Sequence, residues 1–540
     1  MNSKIRFYIA GLAIGIFFIS GFLGIAYSLF QQRAQIGILA KNLYLLFSRS
    51  KLVGEDRKGV EGFEFYPGKQ TEITINPEIE IGKISPLLFG ANLSPKMESE
   101  PDIIRFIKDI NLKCFRFPGG GSPGYHWKDS TFDFDTRNTN APLRKIDYLL
   151  EFCRLTNTSL VIQVNVESGT AKEAAEWVEY MNKKVNFPVI YWELGNEVYG
   201  DWDKGYMSPE EYAALIKEFS REMKKVDPDI KIGMDWAPSH KNHFNKEVVK
   251  KAGEYIDFIS YHWYPNLTKF SRPYKGRIHP EPKKIMANYL QIPYIVKNVR
   301  DIFKTYQPQK ENKVEIAFLE WDGAVDGPSS DFPPYSQGIV QWSLANAIFY
   351  ADCLGIFALN NVSVSTVFDF QSIGFGFIRG WDKNAGWQGQ RWDGETIRPK
   401  ALALKLFARH FGDIAIQSEI KDYPYYYKMS DWYPDSYAGK VPYLSCYASK
   451  YSQGNTLTIV LTNKHEQQAF KVKIHLKSVK PKEKGMLFIL SGPELLAQNE
   501  GNPLNVGIKE YAVENVTDSF GYTVPAHSVV LLKIDYETKT

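Results

Sequence analysis

The chain has 540 residues, too many for one typical domain, and an ordinary globular composition apart from 14% aromatics. Its net charge of +4 comes with no dominant basic block, which argues against nucleic acid as a partner, because phosphate binding needs clustered Lys and Arg. The four cysteines, Cys114, Cys153, Cys353 and Cys446, form no CxxC pair; this argues against a zinc site or a disulfide framework and predicts buried free thiols, with a single bridge left open.

Residues 1–35 read as a membrane segment. Lys4 and Arg6 precede a run from Phe7 to Phe30 without a charge. It exceeds both a signal-peptide core and the roughly 20 residues that span a bilayer as a helix. The expectation is a retained N-terminal transmembrane helix, with the folded part outside the cytoplasm. A small-x-small site at Ala26–Ser28 leaves a cleaved signal and a secreted product as the alternative. Lys4 and Arg6 favour an inside N-terminus, but Arg33 and Lys41 follow on the other flank. Residues 36–68 read as an amphipathic stretch and a polar linker, and 69–84 as a strand that precedes the main domain.

From 85 to 410 short apolar runs alternate with amphipathic stretches. The runs are PLLFGANLS, LKCFRFPGGG, SLVIQVNVES, VIYWELGNE, IKIGMDWAP, DFISYHWYP, EIAFLEWDG and VSTVFDFQS. Helix-like stretches between them include EPDIIRFIKDI, TAKEAAEWVEYMNKK, SPEEYAALIKEFSREMKKV and IPYIVKNVRDIFKTY. Ser208-Pro209 reads as an N-cap followed by Pro in the first turn. Eight such units predict an α/β fold, a (β/α)8 TIM barrel. The rival, a doubly wound sheet, predicts a Gly-rich phosphate loop after the first strand, which FGANLSPK is not. Residues 411–540 carry alternating strands separated by turns, LSCYASKY, NTLTIVLTNK, FKVKIHLKS, GMLFILSG and HSVVLLKIDYE, and predict a C-terminal antiparallel β-sandwich.

The strand ends point to chemistry, because a barrel builds its site there. They carry Asn92, Arg116, Asn165, Asn196 with Glu197, Asp235, His262 with Tyr264, Glu320, and Asp369 with Gln371. Tyr125, Trp127, Trp202, Trp236, Trp263 and Trp321 lie beside them. Carboxylates, amides and flat aromatic faces suit a sugar. A retaining glycosidase needs two carboxylates about 5–5.5 Å apart, one a nucleophile and the other an acid and then a base. The ends of the fourth and seventh strands face each other across the barrel, so Glu197 and Glu320 are the candidates. Glu193 has the same parity as Glu197 and reads as a barrel-interior carboxylate paired with Arg116. Asp322 is the rival to Glu320, but lies in a Gly-containing turn. Arg116 also reads as a structural ion-pair partner, His262 as a core histidine, and Trp202 and Trp236 as core or cap residues. No ligand spacing argues for a catalytic metal, and no cofactor is expected.

RFPGG at Arg116–Gly120, YHW at Tyr125–Trp127, WELGNE at Trp192–Glu197, YHWY at Tyr261–Tyr264 and LEW at Leu319–Trp321 occur in this order. Together they resemble clan A retaining glycoside hydrolases, most of all the α-L-arabinofuranosidases of glycoside hydrolase family 51, over roughly residue 73 to the C-terminus. The resemblance implies Glu197 as acid/base and Glu320 as nucleophile. It implies Asn196 at the sugar 2-hydroxyl and Arg116, His262 and Tyr264 around the nucleophile. Asn165, Trp127, Trp236 and Gln371 are further candidates for sugar contact. It also implies that the 69–84 strand joins the sandwich. The chain departs from that family in NEVYGDW after the acid/base and in LFGANLSP, which lacks the usual acidic residue. Other clan A activities, β-xylosidase, β-glucuronidase or heparanase-like, or endo-acting, remain open. So does a non-catalytic glycan-binding envelope protein.

Overall fold

A computed structural model of the chain describes residues 64–95, 100–120, 124–133, 144–201, 205–265, 272–274, 277–279, 281–323, 340–372, 374–381, 391–428 and 436–538. The expected membrane segment at Phe7–Phe30 and residues 36–63 of the expected linker at 36–68 lie outside the described residues; at the linker's end Glu64–Phe65 forms a short strand against Tyr425–Lys428. Among those described, no helix is long and apolar enough to cross a membrane.

The eight apolar runs form eight parallel strands that close into a barrel in chain order. They are Gly90–Asn92, Cys114–Phe117, Ser159–Val164, Tyr191–Leu194, Lys231–Trp236, Phe258–Trp263, Glu315–Trp321 and Val364–Val367. The runs are nearly continuous in apolar character because both faces of each strand are covered. One face packs with the surrounding helices. The other fills the barrel with Cys114, Val161, Tyr191, Phe258, Ala317, Leu319 and Val364. These close its lower part, whose far end carries the Lys231–Glu315 ion pair and the Tyr191 hydroxyl, and the C-terminal mouth carries the other polar groups.

The helices between them follow local signals. Pro209–Val226 opens with a capping box, in which Ser208 and Glu211 satisfy each other's backbone N–H. Ala171–Val178 is capped by Thr170 and runs on into a π-helical stretch, Glu179–Lys184. Leu344–Leu359 differs. It is buried nearly all round between barrel and sandwich, so it has no amphipathic stripe to read. Its Asp352, fully buried, pairs with Lys464 of the sandwich at 2.8 Å and accepts from Thr462 and Tyr447.

Eight of the ten strands described after residue 411 form a nine-stranded sheet with Thr71–Lys83, while Tyr425–Lys428 and Gly439–Pro442 form a small separate sheet with Glu64–Phe65. Phe470–Leu476 touches Val479–Ser491, and Thr456–Asn463 touches Ser519–Val524, although neither pair is adjacent in the sheet. The sheet therefore folds back over its own core of Ile73, Ile416, Ile459, Val472, Ile474 and Val530. One expectation is corrected. The sandwich is not wholly antiparallel, because Thr71–Lys83 runs parallel to Phe470–Leu476 while pairing antiparallel with Ile414–Lys421. A strand arriving from before the barrel has no hairpin to fix its direction, so either pairing is open to it. All four cysteines are free thiols.

Candidate active site

The pleat sorts the residues at the barrel mouth. Asp235, His262 and Glu320 point inward, and the residue after each of them points out. Trp236 therefore stacks on Phe303, Trp263 packs against Phe349, and Trp321 against Tyr350. Trp127 stacks on Trp177 at 6.0 Å, and its indole N–H donates to the Glu173 carbonyl. The expectation that Trp127 and Trp236 present faces to a sugar is thus corrected: both rings are buried in packing around the barrel. Trp202 lies outside the described residues.

Glu320 reaches the mouth through a register shift. Between the sixth and seventh strands Tyr261 pairs with Phe318 and His262 with Glu320, so Leu319 has no partner of its own. Such a bulge re-aims the following side chain. Strict alternation from Ala317 and Leu319 would have sent Trp321 inward and Glu320 out. The displaced Leu319 carbonyl is satisfied by Asn92 Nδ2 at 2.8 Å and Thr366 Oγ1 at 2.6 Å.

Arg116 organises the floor of the site. Its Nε donates to Glu193 Oε2 at 2.6 Å, and its Nη1 to both Glu320 Oε1 at 2.7 Å and Asn92 Oδ1 at 2.8 Å. Its Nη2 donates to Asn196 Oδ1 at 3.0 Å. The second oxygen of Glu320 accepts from the Tyr264 hydroxyl at 3.0 Å. Backbone also presses on this carboxylate: a Cβ on Gly120 would lie 1.9 Å from Glu320 Oε1, so the glycine-rich loop after the second strand needs glycine there.

Glu197 stands opposite, in a turn with left-handed backbone, φ 49° at Glu197 and φ 94° at Gly195. Side chains rarely hold that region unless the surroundings impose it. His262 Nδ1 lies 3.1 Å from Glu197 Oε1 and 3.7 Å from Glu320 Oε2, and its Nε2 lies 3.5 Å from Glu193 Oε1. Carboxylate oxygens of Glu197 and Glu320 and a ring nitrogen of His262 all fall within 4.8 Å of one another. That proximity suits the retaining arrangement of two facing carboxylates.

Burial shapes the charges. It works against a charged His262, but the Glu320 carboxylate and the contacts to Glu193 and Glu197 outweigh it and hold the imidazole well above its usual range. Burial likewise opposes an ionised Glu193, yet Arg116 and then His262 prevail and bring it down to about 2. Burial, then the charge of Glu320, push the Tyr264 phenol up, so it stays a donor.

Three other residues have separate surroundings. Asn165 Oδ1 accepts from the backbone N–H groups of Glu167 and Ser168, while its Nδ2 meets Ser168 and His126. These bonds build a turn after the third strand. Gln371 lies half-buried after the eighth strand and bridges to Ile378. Asp322, the rival to Glu320, is fully buried against Lys400 at 2.5 Å and accepts from Asn346. Asn92 bridges Arg116 to the bulge, a task that only its strand-end position hinted at.

No family model matches the chain. Over 523 residues it is 23% identical to α-L-arabinofuranosidase C of Emericella nidulans, covering 85% of this chain and 97% of that one. A Bifidobacterium longum intracellular exo-α-(1→5)-L-arabinofuranosidase is 25% identical over 256 residues, covering 41% and 44%. The chain spans 44% of the length of several other curated relatives that it matches. The solved structure of the α-L-arabinofuranosidase of Thermotoga petrophila superposes with a TM-score of 0.71 at 23% identity, over 86% of this chain and all of that one. These likenesses point to the family 51 α-L-arabinofuranosidases of clan A. The superposition covers the barrel and the sandwich together. The resemblance in RFPGG, WELGNE and YHWY therefore agrees with the whole-chain comparison.

Proposed function

We propose that the chain is a retaining glycoside hydrolase, α-L-arabinofuranosidase-like, acting on a poly- or oligosaccharide by double displacement. The observation that carries this reading is the facing pair: Glu197 and Glu320 with oxygens within 4.8 Å, beside His262. In the first step Glu320 attacks the anomeric carbon. The bond to the leaving oxygen breaks, and Glu197 gives that oxygen its proton. A glycosyl ester on Glu320 results. In the second step Glu197 takes a proton from water, the water attacks the same carbon, and the ester bond breaks to free Glu320.

The surrounding residues support these roles. Arg116 and Tyr264 each hold one oxygen of Glu320, which fixes its rotamer along the line of attack. Arg116 also takes the Asn196 carbonyl oxygen, so the Asn196 amide nitrogen is turned towards a sugar hydroxyl. Glu197 is 22% exposed against 7% for Glu320, which suits a group that must meet leaving groups and water.

The test is a screen of the fragment from about Lys69 against aryl glycosides. It should hydrolyse α-L-arabinofuranosides, with β-xylosides and β-glucuronides as the competing clan A sugars. Turnover of one of these in place of the arabinofuranoside would keep the mechanism and change the sugar. No turnover, with glycan binding retained, would make the chain a binding protein.

We also place the enzyme at a membrane with its barrel outside the cytoplasm, on the uncharged run Phe7–Phe30. Fractionation of the full-length chain should leave it with membranes, resistant to salt and released by detergent. A soluble product trimmed near Ala26–Ser28 would show a cleaved signal instead.

A further inference from the structure

We propose that Asp235 is the positioning residue that holds the Asn196–Glu197 turn in register with His262. This rests on the retaining-glycosidase reading above. Asp235 is the last inward-facing residue of the fifth strand and is 1% exposed. Its Oδ2 accepts from the backbone N–H of Val198, the residue after Glu197, at 3.2 Å. Its own N–H donates to the Tyr212 hydroxyl at 2.8 Å, and that hydroxyl donates to the Leu194 carbonyl at 2.6 Å. Asp235 and Tyr212 thus grip the fourth strand and its turn from below.

The turn needs such a grip. Glu197 sits at φ 49° and Gly195 at φ 94°, and a Cβ on Gly195 would meet Val198 Cγ1 at 2.6 Å. Backbone of this kind persists only where its surroundings impose it. The other carboxyl oxygen, Oδ1, is buried and has no hydrogen-bond partner. An oxygen of Asp235, an oxygen of Glu193 and a ring nitrogen of His262 lie within 4.8 Å of one another. The groups that face Asp235 are therefore Glu193 from the fourth strand, His262 from the sixth, Arg116 from the second and Tyr212 from the following helix. Burial, and then the Glu193 charge, hold the Asp235 carboxyl well above the usual range. It stays a neutral acid, its Oδ2 accepting from Val198 and its proton available to the Glu193 carboxylate. An ionised Asp235 would be drawn to His262 and Arg116, but burial and the repulsion of Glu193 at close range outweigh that attraction.

The test uses leaving-group dependence, which a general loss of structure would not move. Asp235→Ala should lower kcat/KM by about 100-fold or more on a substrate with a poor, alkyl-type leaving group, the scale of a misplaced general acid. On a dinitrophenyl glycoside, which barely needs the proton, the loss should be under about 5-fold. Asp235→Asn keeps an acceptor and a donor without charge, so it should recover most of the activity that alanine loses. Equal losses on both substrates would overturn the role. So would an asparagine variant as poor as alanine, because then the negative charge is what matters. Wild-type turnover is the control: its absence would sink the glycosidase reading and this role together, whereas an equal loss beside an active wild type sinks the role alone.

Discussion

Glu320→Ala should lose hydrolysis of every glycoside, whatever its leaving group, and azide should restore turnover with inverted product. The reason is positional. Azide fits the space the carboxylate leaves and attacks the anomeric carbon from that face, in one displacement. Glu197→Ala should behave differently. Its loss should be largest on poor leaving groups, by about 10²–10⁴-fold, and small in the first step on good ones. The glycosyl ester on Glu320 should then accumulate, because water lacks its base. Azide needs no base, so it should turn the intermediate over to a glycosyl azide of retained configuration. NMR of the two products assigns the roles independently of any relative. The opposite stereochemistry would exchange nucleophile and acid/base.

Removal of the Arg116 guanidinium should have the largest effect on stability. In Arg116→Met two carboxylates, Glu193 and Glu320, lose a partner at 2.6 and 2.7 Å in a fully buried place. Breaking a buried pair from one side costs about 3–5 kcal/mol, since the other charge stays behind. Denaturant unfolding should show that loss. Activity should fall as well, because Glu320 and Asn196 are no longer aimed. Adding Glu193→Gln should return part of the stability by removing the orphaned charge, while activity stays low. The acid limb of stability gives the sign. In the wild type Glu193 titrates below its unfolded value, at about 2. Its contribution is therefore full above about pH 4.5 and disappears as pH falls towards 2. Without Arg116 that loss should begin at a higher pH. A variant as stable as wild type, with an unchanged acid limb, would show that the guanidinium is not what stabilises Glu193.

The eight strands were legible in the sequence because each is a short apolar run ending in a polar group, and strands covered on both faces must read that way. The capping box at Ser208 was legible for a similar reason, since a helix end solves its hydrogen bonds with nearby residues. Alternation in the fourth strand put Glu193 inside the barrel, but Glu197 reaches the mouth through a turn after the strand end.

The rest depended on partners far away in the chain. Period-2 alternation cannot foresee that Leu319 is bulged out against Tyr261 and His262, and the bulge is what aims Glu320 inward. The tryptophans looked like a sugar platform because they adjoin the inward polar residues. Adjacency in a strand means the opposite face, so Trp236, Trp263 and Trp321 went to the helix layer. Leu344–Leu359 carried no stripe, because its surroundings are protein on nearly every side. The sequence by itself therefore determined the strands, their order of polar ends and the candidate pair. Tertiary structure decided which side of each strand faces the sugar, because register belongs to the pair of strands and not to either one.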